Sequence, residues 1–133
     1  MAKIIMVSGT GNTGKTSAIK GVISQFCNCL PKPIGDITII TPIKKKAVFY
    51  HVGFASGGDR ADIIQDNIDF FEKHQWDCLV FACKSYGATL NLLNQFAATK
   101  GITPIYIPTT RQSPSAIFAY NAVIVSQIAG NIP

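Results

Sequence analysis

Residues 9–16 read GTGNTGKT, directly after a short apolar run and directly before a helical pattern. The spacing is G-x-x-x-x-G-K-[ST], and each residue type in it has a physical task. Gly9, Gly11 and Gly14 permit a compact loop whose backbone N–H groups converge on phosphate oxygens, with Thr10, Asn12 and Thr13 completing the cradle. A helix opening near Gly14 adds unpaired N–H groups and the positive end of its dipole. Lys15 can carry a cation to terminal phosphates, and Thr16 can offer a hydroxyl to Mg²⁺. Ser17 can cap the helix or touch a phosphate.

A second set of polar residues follows the apolar stretch CLVFA at Cys78 to Ala82. Lys84 and Ser85 precede Gly87, where the chain can turn into the crevice at a sheet edge in which α/β proteins bind ligands. There Lys84 can stabilise phosphate charge. His51 and His74 have no His, Asp or Glu companions at metal-ligand spacing, and read as a packed and a surface histidine. Cys27, Cys29, Cys78 and Cys83 likewise lack zinc spacing and read as thiols in a reducing setting.

The elements that must position these groups follow from periodicity. Lys3 to Val7 is a β-branched strand, and Ala18, Ile19, Val22, Ile23 and Phe26 recur at helical spacing. Ile37 to Ile43 and Ala47 to Phe54 read as strands flanking a turn at Lys44–Lys46, paired either as a hairpin or as neighbouring edge strands. Ile63, Ile64, Ile68 and Phe71 mark a second helix with Asp62, Asp66, Asp69 and Glu72 on its other face. After the strand at Cys78–Ala82 come a helix carrying Leu90, Leu93, Phe96 and Ala97, a strand at Thr103–Ile107, and a last helix opening at Pro114. Strands alternating with helices predict an α/β sandwich with a mostly parallel sheet, residues 1–133 forming one domain.

The composition agrees. Apolar residues make up 47% of the 133 and charged residues 14%, as a sheet buried on both faces requires. The formal charge of +5 favours phosphate-rich ligands, but no basic helix or aromatic–basic interleaving supports nucleic acid beyond that charge. No apolar run is long enough for a membrane span or a secretory leader, so the expected setting is cytoplasmic.

With its strand and helix context, GTGNTGKT resembles the Walker A loop of the P-loop NTPase superfamily. It differs from the deviant-loop partition ATPases, whose signature lysine would stand where Thr10 does. The resemblance implies a three-layer P-loop sandwich, ATP or another nucleoside triphosphate, Mg²⁺, and hydrolysis. Small-molecule or nucleotide phosphotransfer, and nucleotide-dependent regulation with little turnover, are the alternatives. Such ATPases often complete their site with a neighbouring copy, which makes a homo-oligomer an expectation too. The family also wants an acid at the carboxyl end of a strand, near Mg²⁺ or its water. Asp77 precedes its strand and is unsuited. Asp59, after VGFASGG, can reach back to the phosphate end or cap the second helix, and Asp36 is the weaker candidate because the direction of its strand is open. By the same resemblance, Thr110 and Arg111 lie on a loop that approaches the nucleobase. The Asn/Thr-Lys-x-Asp pattern of guanine-specific GTPases is missing.

Overall fold

The computed structural model describes residues 2–10, 14–27 and 35–133. Strand β1 (Lys3–Ser8) and strand β4 (Cys78–Cys83) carry almost uninterrupted apolar sequence and are buried along nearly their whole length. That is the signature of strands covered on both faces. They pair in parallel from Lys3 with Cys78 to Ser8 with Cys83. On its other side β1 pairs in parallel with β5 (Ile105–Pro108), beginning at Ile5 with Ile105. Strand β3 (Val48–Ala55) lies parallel to β4, with Val52 opposite Cys78. The sheet closes with β2 (Thr38–Lys45), giving the order β2-β3-β4-β1-β5.

Strand β2 settles the alternative left open by the sequence. It runs antiparallel to β3, from Thr38 opposite Ala55 to Lys45 opposite Val48. The turn is therefore Lys46 and Ala47, both at positive φ (51° and 67°), the hand that fits the twist of a two-residue hairpin. Lys44 and Lys45 belong to the strand, where the sequence reading had placed them in the turn. The basic run is also not one patch, because Lys44 lies over the Phe49 ring and Lys45 turns to the far end of the last helix.

Among the described residues four helices cover the sheet: α1 (Lys15–Cys27), α2 (Ala61–Glu72), α3 (Ala88–Thr99) and α4 (Ile117–Asn131). Period-2 alternation distributes each strand between two cores. Ile5, Val7, Val80 and Ala82 face Ile19, Val22 and Ile23 of α1 and Ile124 and Ile128 of α4. Ile4, Met6, Leu79 and Phe81 face Ile64 and Phe71 of α2 and Leu93 and Phe96 of α3. Each such buried side chain is worth roughly 1.5–3 kcal/mol, which accounts for the apolar composition. Helix α4 starts at Ile117, later than Pro114 suggested; the Ile117 and Ala116 N–H groups both donate to Ser113 O, so the proline sits in a preceding turn. No helix among the described residues is long and apolar enough to cross a membrane.

Candidate functional site

Strands β1, β3 and β4 end at the same edge of the sheet, and antiparallel β2 begins there. Strand β5, parallel to β1, ends there as well, so among the described residues five segments meet: those after β1, β3, β4 and β5 and the one before β2. Gly9 N–H donates to Cys83 O at 3.1 Å, tying the residues directly after β1 to the end of β4. Gly58 brings in the third segment. A Cβ there would lie 2.1 Å from Ala82 O, so only hydrogen fits between the chain after β3 and the end of β4. The result is a cleft of about 390 Å³ lined by Lys15, Thr16, Ser17, Asp36, Ser56 and Asp59, with Gly14, Gly58 and Ile117 closing its walls.

Lys15 is buried, 7% exposed, and its Nζ donates to Gly9 O at 3.0 Å and Thr10 O at 2.8 Å. The ammonium folds back on the loop's own carbonyls. Burial pushes its pKa below the ordinary lysine value; Asp59 and Cys83 oppose the shift and Lys84 adds to it. A desolvated cation lining a polar cleft, bonded among the described residues to neutral carbonyls, is matched to an anion that can replace them.

Beside it lies an oxygen cluster. Thr16 Oγ1 stands 3.3 Å from Asp36 Oδ1 and 3.3 Å from Ser56 O, and Ser56 Oγ donates to the same Asp36 oxygen at 3.3 Å. Ser56 is fixed in turn by Ile37, whose N–H donates to Ser56 Oγ at 2.8 Å and whose carbonyl accepts Ser56 N–H at 2.9 Å. These hydroxyl, carbonyl and carboxylate oxygens form a hard donor set that suits Mg²⁺, which is commonly held by one or two carboxylates together with substrate phosphates. Among the described residues no cluster of three or more His, Cys, Asp or Glu would hold a metal by itself. Asp36 reaches this place because β2 runs antiparallel, which puts the residue before β2 level with the carboxyl end of β3.

Asp59 lines the cleft and acts electrostatically on Lys15. It does not cap α2. The N-cap position is Arg60, with no side-chain cap bond, so Asp59 lies one residue too early. Arg60 is turned to Asp62, donating from Nε to Oδ1 at 3.0 Å and from Nη2 to Oδ2 at 2.7 Å. This exposed pair holds the Asp62 carboxyl below its usual range.

The other candidates lie apart from the cleft wall. Lys84 is half-buried and its N–H donates to Thr89 Oγ1 at 3.3 Å, while its charge is felt at Lys15. Thr110 faces Tyr120, whose hydroxyl accepts the Thr110 N–H at 2.9 Å, and Arg111 is exposed. Gly11, Asn12 and Thr13 fall outside the described residues. Asp77 sits at the opposite edge, its Oδ2 accepting His51 N–H at 2.8 Å. Cys78 and Cys83 are buried free thiols, pushed up by burial to about 12 and about 11, which leaves them protonated and unreactive at neutral pH.

Two wall residues escaped the sequence reading. Ser56 was available in ASGGD, where a hydroxyl directly after a strand and before two glycines faces the same crevice as Asp59. Ile117 had no local signal, since only the seating of α4 against the loop brings it to the cleft. No known family model matches the chain, and no curated protein matches it either.

Proposed function

We propose that the chain binds a nucleoside triphosphate, with ATP the expected nucleotide, together with Mg²⁺, and hydrolyses its terminal phosphate. Under this reading the sandwich is of the P-loop type and residues 9–16 are its phosphate loop. The observation that carries the proposal is the meeting of Lys15 and Thr16, at the start of α1, with Asp36, from the segment before β2, in one cleft. Lys15 exchanges the Gly9 and Thr10 carbonyls for phosphate oxygens. Thr16 Oγ1 and the Asp36 carboxylate would hold Mg²⁺, directly or through its water. When bound, Mg²⁺ would neutralise charge on the phosphates. Asp59, which lines the same cleft, orients the attacking water, whose oxygen bonds to the terminal phosphorus as the bond to the leaving nucleoside diphosphate breaks and whose proton passes to the released phosphate. Hydrolysis is favoured over phosphotransfer because Arg60 is engaged with Asp62 and Arg111 is not in the wall, so neither supplies a cationic lid.

The test pairs binding with turnover. A non-hydrolysable ATP analogue with Mg²⁺ is titrated into wild type and Lys15→Ala, and phosphate release is followed in wild type, Asp36→Asn and Asp59→Asn. Tight binding that depends on Lys15, with turnover lost in Asp36→Asn and slowed in Asp59→Asn, supports the reading. Equal affinity in wild type and Lys15→Ala would reject the phosphate loop. Binding without measurable release in wild type would leave a nucleotide-dependent regulator. Because Asp59 makes no cap, a loss of turnover in Asp59→Asn cannot be assigned to a weakened α2.

A further inference from the structure

Helix α4 reaches the cleft because glycines let it lie close against α1. A Cβ at Gly21 would stand 2.8 Å from Val125 Cγ2, and one at Gly14 would stand 2.7 Å from Asn121 Oδ1. Val125 and Asn121 share one face of α4 at i, i+4 spacing, and Ile117, the first residue of the helix, stands one turn earlier on that face. The close approach carries the Ile117 side chain into the cleft wall.

Ile117 is unlike the rest of that wall. Among the described residues the other side chains lining the cleft are charged or carry hydroxyls, and what remains is glycine. The one apolar side chain is left 39% exposed, so a ligand in the cleft can cover what the fold does not. Its place matters as well. Asp36, Ser56 and Asp59 come from the segments before β2 and after β3, whereas α4 packs against α1 and β5. Strands β4 and β1 separate β3 from β5 in the sheet. The cleft therefore has an oxygen-rich end on the β3 side and an apolar end on the β5 side.

A nucleoside triphosphate has the same asymmetry, with a charged polyphosphate at one end and the flat face of a base at the other. Small-molecule sites commonly join a few convergent polar groups to an apolar wall in this way. The loop after β5, expected at the base by resemblance, does not supply that wall. Its Thr110 N–H is bonded to the Tyr120 hydroxyl, and neither Thr110 nor Arg111 lines the cleft.

We propose, resting on the nucleotide reading above, that Ile117 is a specificity-determining residue of the cleft. Its side chain receives a face of the nucleobase and so selects a nucleoside triphosphate over a bare polyphosphate. Having no polar atom, Ile117 reads no base edge and does not choose between bases. It takes no part in the chemistry at the terminal phosphate.

The test compares a non-hydrolysable ATP analogue with inorganic tripolyphosphate, both with Mg²⁺, in wild type and variants. Ile117→Ala is expected to lower affinity for the ATP analogue about fivefold, the scale of returning the exposed part of one isoleucine to water. Affinity for tripolyphosphate should not change. Ile117→Leu, which keeps an apolar wall, should retain most of the affinity, and a GTP analogue should lose the same factor as the ATP analogue in Ile117→Ala. Phe118→Ala removes a side chain that is 87% exposed and outside the cleft wall, and should alter neither affinity. An equal fall for both probes, accompanied by a lower Tm, overturns the proposal in favour of a packing role. Unchanged ATP-analogue affinity in Ile117→Ala, or an equal loss in Phe118→Ala, overturns it while leaving Lys15-dependent binding intact. A loss confined to one of the two nucleotides overturns the base-blind contact. Failure of wild type itself to bind the ATP analogue overturns the nucleotide reading, and this proposal with it.

Discussion

At the amino edge of the sheet, Lys45 Nζ donates to Ala129 O at 2.9 Å and Ile132 O at 2.6 Å, and Lys3 Nζ donates to Asn131 O at 3.3 Å. These lysines close the carbonyl end of α4, whose own last turn carries no basic residue. Asp77 at the same edge accepts from the His51 main chain. At the carboxyl edge Lys15 also bonds carbonyls, but they belong to the residues directly after β1, and among the described residues Asp36 accepts from the Thr16 and Ser56 hydroxyls. Similar side chains serve both edges. The difference is the partner: fixed helix-end and strand carbonyls or amides at one edge, replaceable groups around a cleft at the other. A charge bonded to a helix end is structural, whereas under the proposed function the charge bonded to its own loop is the one a ligand would draw away.

The largest expected contrast is between two lysines. Lys15→Ala should weaken nucleotide binding by about 100-fold or more, close to 3 kcal/mol, and leave the stability of the nucleotide-free protein unchanged or raised by about 1 kcal/mol. Lys45→Ala should leave affinity alone and cost about 1–3 kcal/mol, the range for hydrogen bonds from a charged donor. Isothermal titration and denaturant melts on the same samples decide it, and a loss of affinity in Lys45→Ala would break the comparison. Next is the aspartate pair. Asp36→Asn should lower phosphate release about 100-fold, whereas Asp77→Asn should leave it unchanged.

Glycines sharpen the contrast further. Gly58→Ala must drive a methyl into the Ala82 carbonyl and should cost about 2–4 kcal/mol while widening the cleft. Gly130→Ala, in α4 near the amino edge with nothing within 4 Å of the new Cβ, should stabilise by about 0.5–1 kcal/mol. The smallest effect is on pH dependence. The folded-state pKa of Lys15 is lowered, so between that value and the ordinary 10.5 the unfolded chain binds more protons. Stability of wild type relative to Lys15→Met should therefore rise with pH through that window and be flat below it. A relative stability that falls as pH rises would show Lys15 to be stabilised as a cation.

Local spacing made the strand–helix order readable, because apolar period acts over a few residues. What lay beyond a single element was harder to read. Asp36 ranked below Asp59 because its value depended on the direction of β2, which is set by pairing between Thr38 and Ala55. Lys44–Lys46 looked like one turn because lysine has no sharp strand preference, and the true turn is carried by two residues that are not glycine. Asp59 looked like a cap because a carboxylate before a helical stripe usually is one, but helix α2 opens one residue later than that role requires. Ile117 and Asn121 entered through tertiary docking of α4, for which composition holds no code.

The central position of β1 also bears on how the chain folds. Its partners are β4 and β5, reached through Cys78 and Ile105, so a growing chain carries the apolar KIIMVS segment for most of its length before either neighbour exists. The early hairpin of β2 and β3 can zip locally, but β3 meets β4 and never β1. Long-range parallel pairing of this kind slows folding and leaves a sticky strand waiting. Gly9, directly after β1, is tied to the sheet by its N–H on Cys83 O, a bond that can form only when β4 arrives. Under the proposed function, ligand competence is then a late folding event, and a nucleotide present during synthesis would engage the chain only after β4 had been made and placed.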